Sequence, residues 1–136
     1  MPAGYSGTPL AKKLGIKDGM HLIALNAPDG YQRWLMGLPK TASISATLTS
    51  PVAAVHLFET RRSSLSKRLK SLRSQLQSDG FIWVSWPKRT SGMETDITEY
   101  VIRDVALPLG FVDIKVCAVT DVWSGLKLVI RRSERT

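Results

Sequence analysis

The chain has one cysteine, Cys117, so it cannot close an internal disulfide. A lone thiol fits a reducing compartment, and a cytoplasmic protein is the expectation. Its two histidines, His21 and His56, each lie in an apolar stretch. With them there is no metal-ligand spacing of the C-x-x-C or H-x-x-x-H kind, so no metal site is expected. A histidine isolated in an apolar strand reads as a satisfied core residue rather than a base. None of the ten glycines is separated from another by a single residue, so no G-x-G occurs. Acidic residues are missing between Asp29 and Glu59 and again between Glu59 and Asp79. A methyl donor or dinucleotide needs glycines after the first strand, where the backbone approaches the cofactor, and an acid at the end of the second, for the ribose hydroxyls. Both are lacking, so no cofactor is expected in that pose. No apolar run approaches the ~18 residues that cross a bilayer. Met1 to Leu10 also lacks the basic start and apolar run of a signal sequence.

What is present describes a globular domain. At 136 residues, with 43% hydrophobic and 22% charged residues, the chain can bury an ordinary core as one domain. Residues 20–132 form the expected α/β core. The first 19 residues, rich in Gly and Pro, read as an arm. Nineteen Lys and Arg against eleven Asp and Glu give a net charge of +8, which makes polyanions plausible ligands.

Apolar periodicity supplies the element order. His21 to Leu25 is a buried strand closed by Asn26-Ala27-Pro28-Asp29-Gly30, followed by a short helix through Tyr31 and Trp34. Ile44 to Leu48 is a second strand. Val52 to Phe58 is a nearly continuous apolar run, as in a strand covered on both faces. Leu65, Leu69, Leu72 and Leu76 repeat at helical spacing, which predicts a helix over Arg61 to Ser78 ended by Asp79-Gly80. A strand to Trp86 follows. Asp96 is the expected cap of the next helix, with Glu99 as its capping-box residue and Ile97, Val101 and Val105 on its inner face. Val112 to Val119 and Leu126 to Arg131 read as an antiparallel hairpin turning at Ser124-Gly125. The alternation predicts one mostly parallel sheet in the order 2-1-3-4-6-5, the last strand antiparallel, with helices on both faces.

From Val52 to Arg131 this order resembles the C-terminal half of class I methyltransferases: a Rossmann-like, truncated three-layer α/β domain with an antiparallel C-terminal hairpin. Three groups of residues carry a second resemblance: Gly4-Tyr5-Ser6-Gly7-Thr8-Pro9-Leu10-Ala11-Lys12-Lys13-Leu14-Gly15-Ile16, Trp86-Pro87-Lys88 with Ser91-Gly92, and Val116-Cys117-Ala118-Val119 with Trp123-Ser124-Gly125-Leu126-Lys127. Together they are similar to the signature of a family of small bacterial proteins classed as a domain of unknown function. That likeness implies no reaction.

No catalytic residue is named by the sequence. Gly4-Tyr5-Ser6-Gly7 is a fragment of a nucleophile elbow without its strand or second glycine spacing. Cys117 reads as a small core residue. Open α/β sheets bind ligands at the carboxyl ends of their strands. There, Lys88, Arg89, Ser91 and Gly92 offer cations and hydroxyls beside a helix start, a combination suited to phosphate or carboxylate. Trp86, Trp123 and Ser124 are expected at the same edge, flanking a pocket. The first reading is therefore a non-catalytic domain binding a small anionic ligand or a protein partner at this edge. A second is a nonspecific nucleic-acid binder using Lys67, Arg68, Lys70 and Arg73 on the leucine-striped helix, whose cations have no acid at i,i+4. A third is an enzyme with an unrecognised site.

Overall fold

The structure, a computed structural model, describes residues 8–135. Six strands form one sheet: β1 (His21–Leu25), β2 (Ser43–Ser45), β3 (Val52–Phe58), β4 (Leu76–Pro87), β5 (Phe111–Ala118) and β6 (Trp123–Ile130). Their order is β2-β1-β3-β4-β6-β5, as the alternation predicts. The four strands β2, β1, β3 and β4 run parallel, and β6 is antiparallel to both β4 and β5. Four helices cover the sheet: α1 (Leu10–Leu14), α2 (Tyr31–Trp34), α3 (Arg62–Gln75) and α4 (Glu99–Ala106).

The core has two layers. On one face Leu65, Leu69 and Leu72 of α3 and Ile102, Val105 and Ala106 of α4 pack on Ile23, Val55, Leu57, Ile82 and Val84. On the other, Leu10 and Leu14 of α1 and Tyr31 of α2 pack on Leu22, Ala54, Phe58 and Trp83. Four-residue α2 is too short to hold itself by backbone bonds. Its place is fixed by buried Tyr31, whose ring meets Phe58 edge-on at 5.5 Å.

Several sequence expectations are corrected. Residues 10–16 are not an arm: Leu10, Ala11, Leu14 and Ile16 are buried, and the carbonyl of Leu14 accepts a 2.9 Å hydrogen bond from the Trp83 indole. The leucine helix stops at Gln75, and Leu76 is already extended and pairs with Val52. Gly80 therefore ends no helix. It lies inside β4, where a Cβ would stand 2.7 Å from the Ala53 carbonyl oxygen, so glycine is needed for close approach of two strands. Asp96 does not cap α4. Thr98 does, its hydroxyl accepting from Val101 N, and α4 starts at Glu99. Asp96 instead accepts from Arg62 N at 2.6 Å, capping the start of α3 from across the fold. The later start of α4 turns Ile102, Val105 and Ala106 inward and leaves Val101 half-buried. Buried Ile97 precedes the helix. Ser124 and Gly125 belong to β6, and the hairpin turns at residues 119–122.

Candidate functional site at the carboxyl edge

The chain leaves β1 toward the α2 face and leaves neighbouring β3 toward the α3 face, so the switch point of the sheet lies between β1 and β3. Ligand crevices in open sheets form at such points. The first residue after β1 is Asn26, held in the left-handed region at φ 59, a conformation asparagine tolerates better than most residues. Its amide donates to the Phe58 carbonyl at 3.3 Å and to Glu59 Oε2 at 3.4 Å, tying the ends of β1 and β3 together. Glu59 is only 8% exposed. Burial pushes its carboxyl above the ordinary glutamate value, and the Arg68 guanidinium works in the opposite direction.

Beside this pair, α3 presents a polar stripe next to its leucine stripe. Ser64, Lys67, Arg68 and Ser71 recur at i, i+3, i+4 and i+7, so they share one flank of the helix. With Asn26 and Glu59 they line a cavity of about 340 Å³. Asn26 and Glu59 are shared with a smaller cavity, about 230 Å³, walled by Phe58, Thr60 and Trp123.

The sequence-predicted residues divide. Trp86 and Arg89 line a separate cavity of about 370 Å³ with Pro87, Met93, Thr95, Ile97 and Thr98. Trp123 lies in the opposite core layer from Trp86, so the two rings do not flank one pocket. Ser91 Oγ accepts from Met93 N, and Gly92, at φ 76, closes the 3-10 turn Arg89–Ser91. Lys88 donates its backbone N–H to the Val122 carbonyl at 2.7 Å. Ser124 pairs with Trp86 within the sheet. On α3, Lys67 and Arg68 reach the switch-point cavity, whereas Lys70 is exposed. Arg73 turns to the Leu109 carbonyl and Glu134. Asn26 and Glu59 are not among the sequence-predicted site residues, although each is the first polar residue after a buried strand.

One buried constellation has the connectivity of a catalytic triad. Tyr31 Oη lies 2.6 Å from His56 Nδ1, and His56 Nε2 lies 2.7 Å from Ser85 Oγ. His56 and Ser85 are both 0% exposed. Burial lowers the imidazole to about 3 and pushes the Tyr31 hydroxyl above the usual phenol range. A nucleophile must meet substrate; this serine does not, and the three groups form a satisfied polar chain within the core. The Gly4-Tyr5-Ser6-Gly7 segment lies outside the described residues.

No family profile matches the chain, and no curated protein matches it in sequence. Solved structures do match in fold. A SAM-dependent methyltransferase from Aquifex aeolicus superposes with a TM-score of 0.63 at 12% identity, over 89% of this chain and 87% of that one. A ribosomal protein L11 methylase from Lactobacillus delbrueckii subsp. bulgaricus gives 0.55 at 12% identity, over 90% and 76%. The likeness shows a methyltransferase-like fold.

That fold implies a methyl donor at the ends of β1 and β2, where a cavity of about 420 Å³ is lined by Asp29, Gly30, Tyr31, Arg33 and Ser45. These residues do not fit that group. The end of β2 offers Ser45 and Ala46 in place of a carboxylate. Ser45 Oγ is already engaged by His21 Nε2 and the Thr47 carbonyl, at 3.0 and 3.1 Å. The face of Gly30 is covered by the Arg33 guanidinium, 2.7 Å from where a Cβ would sit. Arg33 thus occupies the space beside the turn after β1 that close approach of a cofactor would need.

Proposed function

We propose that this chain is a binding domain on a methyltransferase-like scaffold, taking a small anionic ligand at the carboxyl edge of its sheet without catalysing its conversion. The observation that carries this reading is the approach of Lys67 and Arg68 to Asn26 and Glu59 in the switch-point cavity. Two cations supply charge-assisted bonds to a phosphate or carboxylate, and Ser64 and Ser71 add hydroxyls. Glu59 repels a bare anion from one side of the cavity. The ligand therefore carries its anionic group toward α3 and a hydroxyl or amine toward Glu59.

Calorimetric titration with inorganic phosphate and with glycerol 3-phosphate tests this. Glycerol 3-phosphate is the tighter of the two, and Arg68→Ala weakens it roughly tenfold to a hundredfold, the loss of one charge-assisted bond of ~1.5–3 kcal/mol. Arg89→Ala, in the separate cavity, leaves it unchanged. If Arg89→Ala weakens binding and Arg68→Ala does not, the site moves to the end of β4. Absence of binding to either compound removes the small-anion reading.

The nucleic-acid reading of α3 is weakened by what its arginines do. Arg61 pairs with Glu94, Arg62 with Asp104 and Arg73 with Glu134. Of the four cations of that reading, Arg73 pairs with Glu134 and Arg68 acts on Glu59, while Lys67 and Lys70 have no ion pair among the described residues.

A further inference from the structure

We infer that the outer surface of the β5–β6 hairpin, together with the end of α1, is a docking surface for the phosphate backbone of duplex nucleic acid, held by Lys13, Lys17, Lys115 and Lys127. The surface lies apart from the switch-point cavity and does not rest on the small-anion reading.

Lys115 and Lys127 are direct cross-strand neighbours in the antiparallel β5–β6 pair. Like charges directly opposite each other destabilise a sheet. Lys115 is on an edge strand, next to a break in register between Asp113 and Lys115, and a lysine there can be explained as protection of an open edge. Lys127 cannot be explained so, because β6 is paired on both sides. Its side chain is half-buried, with Nζ 4.5 Å from the centre of the Phe81 ring and 3.7 Å from the place a Cβ on Gly15 would occupy. Gly15 closes α1, so this ammonium sits at the end of that helix. Lys13 reaches the same ground, its Nζ 3.4 Å from the carbonyl of Ala118 on β5. The charges on Lys17 and Lys115 both act on Lys127, and those on Lys13 and Lys115 both act on Cys117. Four cations therefore converge on one surface.

Acids near them in the chain include Asp18, which accepts from Thr41 Oγ1, and Asp121 in the hairpin turn. The carboxylates of Glu94, Glu99, Asp104, Asp113 and Glu134 are drawn to arginines of α3, α4 and the C-terminal end. Among the described residues no carboxylate pairs with Lys13, Lys17, Lys115 or Lys127. None of the four lines the carboxyl-edge cavities. An open surface with spaced ammonium groups suits an extended polyanion better than an enclosed small one. Lysine acts as a point charge on phosphate without a fixed fork geometry, which matches a contact that follows backbone rather than base sequence. The aromatic rings beneath these lysines, Phe81 and Trp83, are buried. Base stacking in single-strand binding relies on aromatic rings, so the duplex is the fitting form.

The test is fluorescence anisotropy of a labelled DNA duplex against salt. Four phosphate contacts give a slope of log affinity against log salt of about −3.6, or about a 150-fold loss between 50 and 200 mM. Lys115→Gln with Lys127→Gln cuts the slope to about −1.8. The same pair raises the melting temperature, since it relieves a repulsion, and weaker binding in a more stable protein is not what a structural defect produces. Lys13→Gln with Lys17→Gln, off the sheet, gives the same change in slope if the hairpin variant misfolds. Lys40→Gln with Lys70→Gln removes equal charge elsewhere and leaves the slope near its full value. Equal effects from all three pairs would mean diffuse net charge and overturn the inference. So would equal competition by polyglutamate at matched charge, which would point to an acidic protein, or tighter binding of a single strand than of the duplex.

Discussion

Acidification is expected to weaken this fold through His56, and the size of the effect follows from its surroundings. The imidazole is wholly buried, faced by the Tyr31 hydroxyl and the Ser85 hydroxyl, neither of which is an anion able to hold a proton on it. Burial moves it from the ordinary 6.5 to about 3. In the unfolded chain His56 takes a proton as the pH drops below 6.5, and the folded protein refuses that proton until about pH 3. Its contribution is therefore complete above pH 6.5 and lost progressively below it. Each unit in that window costs about 1.4 kcal/mol, so near pH 5 the loss is about 2 kcal/mol. Glu59 acts with the opposite sign. Its raised carboxyl binds a proton more readily in the folded state, which adds stability as the pH falls through the window just above its ordinary value. Urea unfolding of wild type and His56→Gln at pH 7.5 and pH 5 separates the two, because Glu59 is common to both. The variant starts lower, by about 1–3 kcal/mol for each hydroxyl left without its bond, yet loses about 2 kcal/mol less on acidification. Parallel losses in the two proteins would show that His56 is not held neutral by burial, and the account of the Tyr31–His56–Ser85 chain would fail with it.

Asp96→Ala is expected to destabilise the protein by about 1 kcal/mol through the start of α3, the usual cost of a lost helix cap. Thermal unfolding should detect it, and an effect confined to α4 exchange rates would contradict the assignment. Gly80→Ala places a methyl against the Ala53 carbonyl and should cost about 1–3 kcal/mol by overpacking, measurable as a lower urea midpoint. Millimolar S-adenosylmethionine is expected to leave the melting temperature unchanged; a site saturated a hundredfold would add about 2.7 kcal/mol, so a clear rise would refute the mismatch at Ser45 and Arg33.

Periodicity alone determined the scaffold. A run such as Val52 to Phe58 is nearly continuous in apolar residues and, seven residues long after Ser50-Pro51, reads as an inner strand. The leucines of α3 define one helical stripe, and short connections force neighbouring strands to pair. From these came the strand order and the antiparallel hairpin, because each rests on local spacing and on the few ways a chain can return to a sheet. Which side chains meet was settled only by tertiary register. Trp86 pairs with Ser124 and Trp123 with Pro87, and that one-residue offset sends the two tryptophans to opposite faces. Asp96 looked like the cap of the helix just ahead of it, yet its carboxylate serves α3, because packing of α4 on α3 brings it closer to Arg62 N. Lys67 and Arg68 read from sequence as part of a polyanion-binding helix face, and only the fold sets Asn26 and Glu59 before them. Lys115 and Lys127 are twelve residues apart in sequence and become neighbours only when the hairpin closes. Spacing along the chain encodes faces and order, whereas the meeting of polar groups from separate elements depends on strand register and helix packing, which no local pattern carries.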